Sequence, residues 1–159
     1  EGKGVCEIAN DNAPGQVVIS GSKERVEKVC EGAKAFGIKM AKLLPVSAPF
    51  HCSLMEPAAK RMKEALAKAT IKSPVTPLVA NVIAKEAEGP AQIRELLVQQ
   101  VTGRVRWTES VAYMEAKGCD TFIEIGSGKV LAGLIKRIAK EAKSLSLGEP
   151  GDIDAFSAL

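Results

Sequence analysis

The hydrophobic pattern at the start of the chain changes from the period of strands to the period of a helix. Residues 5–9 alternate apolar and polar side chains, residues 10–15 are rich in turn-forming types, and residues 16–20 are more continuously apolar. This pattern predicts an antiparallel hairpin. Apolar residues then recur at helical spacing, which predicts a helix capped by Ser22 and ended by Gly37.

Residues 38–44 again have the pattern of a strand. The predicted order of strand, strand, helix and strand matches a ferredoxin-like βαββαβ sheet without its first strand and helix. The chain has no initiator methionine and reaches its first predicted strand within a few residues. We therefore expect the missing strand and helix to precede Glu1, and we assign residues 1–47 to a partial ferredoxin-like small subdomain.

Helical and strand periods alternate through the rest of the chain. An amphipathic helix is predicted over residues 54–70, with Met55 and Met62 as core filler. Trp107 is expected to anchor a later helix in the core. After a proline-rich linker the pattern predicts strand 78–83, helices 91–100 and 108–117, strand 120–125, helix 129–142, strand 144–147 and helix 151–159. Such alternation implies parallel strands covered by helices.

The only histidine of the chain, His51, lies between these two parts. Pro45 and Pro49 fix φ and favour extended residues before them, which predicts a stiff connector. Cys52 or Ser53 can cap the helix that follows. An imidazole at such a junction is a candidate general base, because histidine ordinarily titrates near neutral pH. A surface histidine, or one that only forms hydrogen bonds, is the alternative.

Composition and charge exclude several classes of protein. The formal net charge is +3 over 159 residues, and charged residues of both signs make up 26% of the chain, as in ordinary globular proteins. No basic run interleaved with aromatic residues indicates a nucleic-acid partner. No apolar stretch approaches the roughly 20 residues that span a bilayer. We therefore expect a cytoplasmic protein without nucleic-acid or membrane partners.

The short motifs support neither metal nor nucleotide chemistry. The four cysteines are scattered without a C-x-x-C pair, so we expect reduced thiols and no zinc site. Gly126-Ser-Gly-Lys129 is similar to part of a phosphate-binding loop, but that loop needs glycine at Ile123 and a hydroxyl at Val130. We expect no cofactor. The basic residues that include Lys136 and Arg137 are either a solvated helix end or a docking site for an acidic partner.

A general base has two further requirements. It needs a nucleophile within hydrogen-bond reach and an acceptor that holds its other ring nitrogen. The chain contains no Gly-x-Ser-x-Gly elbow. Cys52 is a poor nucleophile for His51, because neighbouring side chains at a helix start diverge. The residues alone therefore leave His51 without a partner for catalysis.

Four segments resemble, in the same order, the malonyl-CoA:acyl-carrier-protein transacylases of bacterial fatty-acid synthesis. They are residues 12–21, residues 45–57 around His51, residues 97–107 (matched at 97–100 and 105–107), and residues 126–137. The resemblance covers essentially the whole chain but only the C-terminal half of the family. It implies an α/β fold in which residues 48–159 are the C-terminal part of the large, α/β-hydrolase-like acyltransferase subdomain, with parallel strands.

The resemblance also implies a reaction and a set of site residues. In the family a serine in a Gly-His-Ser-Leu-Gly elbow attacks the malonyl thioester, and the phosphopantetheine thiol of the acyl carrier protein then takes the acyl group. His51 matches the histidine that accepts the proton, and a backbone carbonyl at Gln100 matches the acceptor for its second nitrogen. Phe50 matches a phenylalanine that accompanies malonyl preference in related polyketide acyltransferases, where it is a wall of the substrate site; a core phenylalanine is the alternative. Asn81 is expected to contact substrate. Malonyl-CoA and acyl carrier protein are the expected partners.

The serine elbow, the oxyanion-hole donors and the arginine that binds the malonate carboxylate lie in the half of the family pattern that the chain lacks. We therefore expect the 159 residues alone to be inactive, and the missing N-terminal half of the same protein to be a further partner. Two alternatives stay open. One is a non-catalytic module that docks acyl carrier protein through Lys136 and Arg137, and the other is an inactive homologue.

Overall fold

The computed structural model describes residues 4–157, which form a mixed α/β arrangement with two short 3₁₀-helices. The strands are β1 Cys6–Ala13, β2 Gln16–Gly21, β3 Val79–Ala80, β4 Lys85–Glu86, β5 Val105–Arg106, β6 Thr121–Ile125 and β7 Lys143–Leu147. The helices are α1 Lys23–Gly32, α2 Glu56–Lys68, α3 Pro90–Thr102, α4 Trp107–Ala116, α5 Val130–Ile138 and α6 Pro150–Ser157. Residues 158 and 159 of the predicted closing helix lie outside the described residues.

The predicted hairpin is confirmed, with β1 and β2 antiparallel and joined at Pro14 and Gly15. The predicted turn over residues 10–15 was too long, since β1 continues to Ala13. The physical reason is pairing: Ala13 still pairs with Gln16 of β2, and Asn10 and Asp11 also pair in parallel with β5 on the other edge of β1. This pairing joins the N-terminal hairpin directly to the second half of the chain.

Helix α1 begins after Ser22 as predicted, but it ends at Gly32, earlier than the predicted Gly37. A 3₁₀-helix, Ala33–Phe36, follows it, and Gly37 then adopts a left-handed conformation with φ 77° that glycine tolerates readily. Ser22 occupies the N-cap position, but its hydroxyl makes no capping hydrogen bond. It accepts a hydrogen bond from the backbone N–H of Val5 at 3.1 Å instead, so it ties the strand β1 to the helix start.

The prediction of a strand over residues 38–44 was wrong. These residues run through an irregular segment with exposed apolar side chains, and Met40 is 81% exposed. The local pattern is that of a strand, but a strand also needs a neighbour for its backbone N–H and C=O groups. Among the described strands none pairs with this segment, so the predicted small subdomain contains a hairpin and a helix without its last strand.

Helix α2 starts later than predicted and is mostly exposed. A 3₁₀-helix, Ser53–Met55, precedes it, and Pro57 lies in its first turn. Only Ala59 of this helix is fully buried, and Met62 is 41% exposed, so the prediction of Met62 as core filler was wrong. The helix packs mainly on α3, which leaves part of its apolar face uncovered within the described residues.

The single strand predicted over residues 78–83 is instead a tight antiparallel hairpin of β3 and β4. The intervening turn contains Asn81 and ends at Ala84, a non-glycine residue in the left-handed region with φ 52°. A turn replaces the strand because Lys85 and Glu86 fold back to pair with Ala80 and Val79.

The buried core lies between α4, α5 and β6. Val111, Phe122, Ile135 and Ala139 form its centre, and Trp107 packs against it as predicted. The strands β6 and β7 pair in parallel over their full length, which confirms the predicted α/β class with parallel strands. Helix α5 ends at Ile138, earlier than the predicted residue 142. Within residues 4–157, no helix is long and apolar enough to cross a membrane.

Glu124 links β6 to the N-terminus of α5 and should make stability depend on acid pH. Its carboxylate accepts hydrogen bonds from the backbone N–H groups of Ala132 at 2.9 Å and Leu131 at 3.1 Å. The Ala132 bond is the main reason why the pKa of Glu124 is lowered from the usual 4.5. A lowered folded-state pKa stabilises the fold above the unfolded value, and that stability is lost as pH falls through the folded pKa.

We therefore expect Glu124→Gln to lower the melting temperature at neutral pH and to lower it less at acid pH, as the pH falls through the lowered folded-state pKa of the wild-type carboxyl. Thermal unfolding at both pH values measures the difference. Glu27→Gln is the matched control, because Glu27 forms only an exposed pair with Lys23 on α1. An equal loss at both pH values for Glu124→Gln would contradict the role of the charged carboxylate.

Candidate active site

His51 occupies a strained position at the end of the irregular segment. Its φ is 57°, in the left-handed region that a non-glycine residue rarely adopts. Such a conformation costs on the order of 1–3 kcal/mol and persists only where surrounding contacts hold it. Strain of this kind is concentrated at functional sites, so the strained backbone of His51 makes it a candidate functional residue.

The imidazole of His51 is held by the C-terminal part of α3. Its Nδ1 atom lies 3.0 Å from the backbone oxygen of Gln100. A carbonyl oxygen can only accept a hydrogen bond, so Nδ1 carries the proton and Nε2 carries the free lone pair. No hydrogen-bond partner of Nε2 is found within residues 4–157. The geometry therefore leaves Nε2 available as a base.

The side chain of Gln100 does not compete for this bond. Its Nε2 atom is 3.4 Å from Nδ1 of His51, but two donors cannot share a hydrogen bond. The same amide donates to the backbone oxygen of Gly103 at 3.3 Å. The backbone of Gln100, and not its side chain, is thus the orienting group.

Two contacts hold the residues after His51. Cys52 is 0% exposed, and its thiol donates to the backbone oxygen of Pro49 at 3.2 Å. The carboxylate of Glu7, on β1, accepts from the Ser53 backbone N–H at 3.1 Å and from the Ser53 hydroxyl at 2.5 Å. Neither Cys52 nor Ser53 makes the side-chain cap that the sequence predicted. The burial of Cys52 also removes it as an accessible nucleophile.

Phe50 lies at the surface beside His51. It is 49% exposed, and its backbone N–H donates to the oxygen of Ala48 at 3.0 Å. The alternative interpretation as a core phenylalanine does not fit this exposure. The structure thus leaves the ring of Phe50 available to contact a ligand next to the imidazole.

Asn81 forms no hydrogen bond with His51 within residues 4–157. It lies in the β3–β4 turn and borders a cavity of about 310 Å³, which is also lined by Trp107, Ser110 and Glu124. Its backbone oxygen accepts from the Arg106 N–H at 3.3 Å. The structure therefore brings His51 and Gln100 together and locates Asn81 at a separate cavity.

An ion pair that sequence reasoning missed supports the same turn. The Arg106 guanidinium binds both carboxylate oxygens of Glu109 and donates to the backbone oxygen of Ile83 at 3.2 Å. The hydrogen bond from Arg106 lowers the pKa of Glu109. The spacing of Arg106 and Glu109 was the available signal, because an N-cap residue lies near the residue three positions later in the first turn of the helix.

Lys136 and Arg137 lie in the last turn of α5, and only Lys136 has a free head group among the described contacts. The Arg137 guanidinium donates to the backbone oxygen of Pro14 at 2.8 Å and to the side chain of Gln16. Arg137 therefore joins α5 to the tip of the N-terminal hairpin. Among residues 4–157, no group of three His, Cys, Asp or Glu side chains could hold a metal ion.

The fold and the His51–Gln100 contact define an α/β protein in which a backbone carbonyl orients an imidazole and leaves its Nε2 atom free. Residues 5–148 match the family described as "Acyl transferase domain". The chain belongs to this acyl transferase family. Membership and the α/β class agree with the predictions from the sequence.

Curated relatives and solved structures give the same result. The chain is 48% identical over 156 residues to malonyl CoA-acyl carrier protein transacylase of Escherichia coli K12, covering 98% of this chain and 50% of the relative. It is 43% identical to the Bacillus subtilis protein of the same name, over 94% and 47% of the two chains. The chain spans about half the length of the curated relatives that it matches.

The acyl-carrier-protein-S-malonyltransferase structure from Bartonella henselae superposes with a TM-score of 0.92 at 51% identity, covering 97% of this chain and 49% of that one. A second structure contains a type II PKS acyl-carrier protein in complex with its malonyl-transacylase. That match has a TM-score of 0.93 at 39% identity and covers 98% and 51% of the chains.

Proposed function

We propose that the whole protein transfers a malonyl group from malonyl-CoA to the phosphopantetheine thiol of acyl carrier protein in the cytoplasm, for fatty-acid synthesis. His51 is the general base in this proposal, and the nucleophile is a serine outside the 159 residues. The observation that carries the proposal is the 3.0 Å contact between His51 Nδ1 and the Gln100 oxygen, which leaves Nε2 free to accept a proton. The names of the relatives indicate the substrates.

The chemistry is two successive acyl transfers. In the first, the serine oxygen attacks the thioester carbonyl, Nε2 takes the serine proton, and the CoA thiolate leaves with that proton. In the second, the carrier-protein thiol gives its proton to Nε2 and attacks the acyl-serine, and the serine oxygen leaves and recovers a proton. The Gln100 carbonyl stabilises the imidazolium formed in each transfer, in place of the carboxylate of a Ser-His-Asp triad.

In this proposal Phe50 is part of the substrate wall and Asn81 is a second substrate contact. A bulky ring beside His51 leaves little room for the additional methyl group of methylmalonyl. One methyl group is worth about 1–3 kcal/mol of discrimination in such a pocket.

Phe50→Ser in the whole protein should therefore reduce the preference for malonyl-CoA over methylmalonyl-CoA by about tenfold or more, mainly by accelerating the larger substrate. Competition between the two thioesters measures the ratio of kcat/KM values. Phe36→Ser is the control, because Phe36 is exposed on the 3₁₀-helix after α1. Unchanged selectivity in Phe50→Ser would exclude Phe50 from the substrate wall.

The proposed function is tested by recovering the upstream coding sequence and assaying the purified whole protein with malonyl-CoA and acyl carrier protein. A Gly-His-Ser-Leu-Gly segment and transfer to the carrier protein are expected. A whole protein that binds carrier protein without transfer would instead support the docking module. Arg137 argues against that alternative, because its guanidinium already donates hydrogen bonds to Pro14 and Gln16 of the same chain.

A further inference from the structure

The contact between Glu7 and Ser53 joins β1 to the residue two positions after His51. One carboxylate oxygen lies 3.1 Å from the Ser53 backbone nitrogen, and the other lies 2.5 Å from the Ser53 hydroxyl. Ser53 is the first residue of the 3₁₀-helix, so its N–H has no partner within that helix. A carboxylate that accepts both hydrogen bonds satisfies this N–H and fixes the start of the turn.

From this contact we propose that Glu7 is a positioning residue, which holds His51 in its left-handed conformation and keeps Nδ1 on the Gln100 carbonyl. The positioning stands on the geometry alone, whereas its consequence for catalysis rests on the proposed function. Glu7 does not touch the imidazole. It acts through the backbone of Cys52 and Ser53.

Apart from the bond between Nδ1 and the Gln100 oxygen, the restraint on His51 comes from its C-terminal side. The segment before it, residues 37–50, is irregular and mostly exposed, and its backbone hydrogen bonds near the site are short-range ones such as Phe50 to Ala48. After His51, by contrast, Cys52 is fully buried and Ser53 is bound by Glu7. The strained φ of 57° therefore depends on the anchors at residues 52 and 53 together with the Gln100 bond.

Without the carboxylate, the Ser53 N–H loses its partner and the backbone can relax towards negative φ at His51. That rotation would move the ring relative to α3 and lengthen the bond from Nδ1 to the Gln100 oxygen. Glutamine at position 7 keeps an oxygen that can accept from the Ser53 N–H. Glu7→Gln should consequently preserve most of the positioning that Glu7→Ala removes.

The 159-residue chain is suited to the test because it has a single histidine. Nitrogen NMR of the imidazole reports which ring nitrogen carries the proton, and the Nδ1 proton reports its exchange with water. In the unchanged chain we expect the Nδ1–H tautomer and slow exchange. In Glu7→Ala we expect a mixture of tautomers and exchange faster by about tenfold or more, as for the loss of a hydrogen bond to a charged group.

Two further variants and a control make the result decisive. Ser53→Ala removes the hydroxyl contact and keeps the backbone contact, so an intermediate exchange rate is expected, and Glu7→Gln should remain close to the unchanged chain. Glu27→Ala removes a carboxylate from α1 and should leave the imidazole signals unchanged. If Glu7→Ala does not fold, Ser53→Ala decides the question. The proposal would be overturned if Glu7→Ala had the same tautomer and the same Nδ1 proton exchange rate as Glu27→Ala. Where Glu7→Ala does not fold, the same result in Ser53→Ala would overturn it.

The whole protein gives the catalytic readout. Glu7→Ala should lower kcat with little change in the KM for malonyl-CoA, and Glu7→Gln should restore most of kcat. Failure of the proposed function is distinguishable from failure of the positioning. A whole protein without transfer in any variant would overturn the function, while the imidazole signals would still decide whether Glu7 positions His51.

Discussion

His51→Ala in the whole protein is expected to reduce malonyl transfer by at least about 10²–10⁴-fold, the usual contribution of general acid–base catalysis. Without Nε2 neither the serine nor the carrier-protein thiol has a group to accept its proton, so both transfers are affected. Residues that act as one catalytic unit lose most of their effect when a single member is removed. The loss should therefore appear in kcat for either acyl acceptor.

The fold should survive this substitution. The imidazole is only half-buried, and its hydrogen-bonding contacts among the described residues are confined to Gln100. Alanine leaves the Gln100 oxygen without its donor, which costs about 1 kcal/mol when water does not replace it. Circular dichroism and a melting temperature within a few degrees of the unchanged protein would show that the loss of rate is chemical.

Gln100→Ala is the matched control, because the orienting group is the backbone oxygen of Gln100. This variant removes the amide that donates to Gly103 but keeps the carbonyl that accepts from His51. It should lose far less activity than His51→Ala. Near-normal transfer by His51→Ala would remove the base from the proposed mechanism, and an equal loss in both variants would give the Gln100 side chain a role that the geometry does not assign.

The elements that local periodicity predicted well are those whose partners are close in the chain. Helix α3 and the unit from α4 to β7 follow the predicted order, because each has its own apolar pattern and terminal glycine or turn. Residues 38–44 have an equally clear pattern but no strand. Local pattern cannot supply the neighbouring edge on which a strand depends.

The same limit explains what was missed around the site. His51 was found from its prolines and its junction, but Gln100 entered only through the family resemblance, since it is 49 positions away. The Glu7 contact with Ser53 spans 46 positions and has no motif. Strand β5 is only two residues long, so its apolar pattern is too short to predict the pairing with β1.

The exposed face of β6 is the structural basis for the last prediction. Alternate residues of β6, from Thr121 to Ile125, are exposed, yet parallel sheets normally have both faces covered. Ile125, at the end of β6, is 82% exposed, and Val130, the first residue of α5, is 71% exposed. The Trp107 indole nitrogen is buried without a hydrogen-bond partner among residues 4–157. A surface of this kind is typical of a protein–protein or subdomain contact.

We therefore expect the 159-residue chain alone to have no transfer activity, and a separately expressed N-terminal half of the same protein to restore it on mixing. A base without its nucleophile retains little catalytic advantage. The rate of malonyl transfer should therefore rise from the uncatalysed rate to a readily measured rate when the two halves are mixed. The half that carries the serine should also cover the apolar surface beside β6. The melting temperature should rise with the concentration of the added half, as for any ligand that binds the folded state.

Trp107 makes this association visible without activity, because it is the only tryptophan of this chain and lines the cavity beside β6. Its fluorescence in the 159-residue chain should shift to shorter wavelength as the added half excludes water, provided tryptophans in that half are replaced by phenylalanine. Ile125→Lys should weaken the association, since it introduces a charge on the exposed apolar face, whereas Lys136→Glu on the distant end of α5 should not. Turnover by the 159 residues alone above the uncatalysed rate would contradict the expectation that the nucleophile lies outside this chain. If Ile125→Lys bound the added half with unchanged affinity and regained activity, the contact between the halves would lie elsewhere.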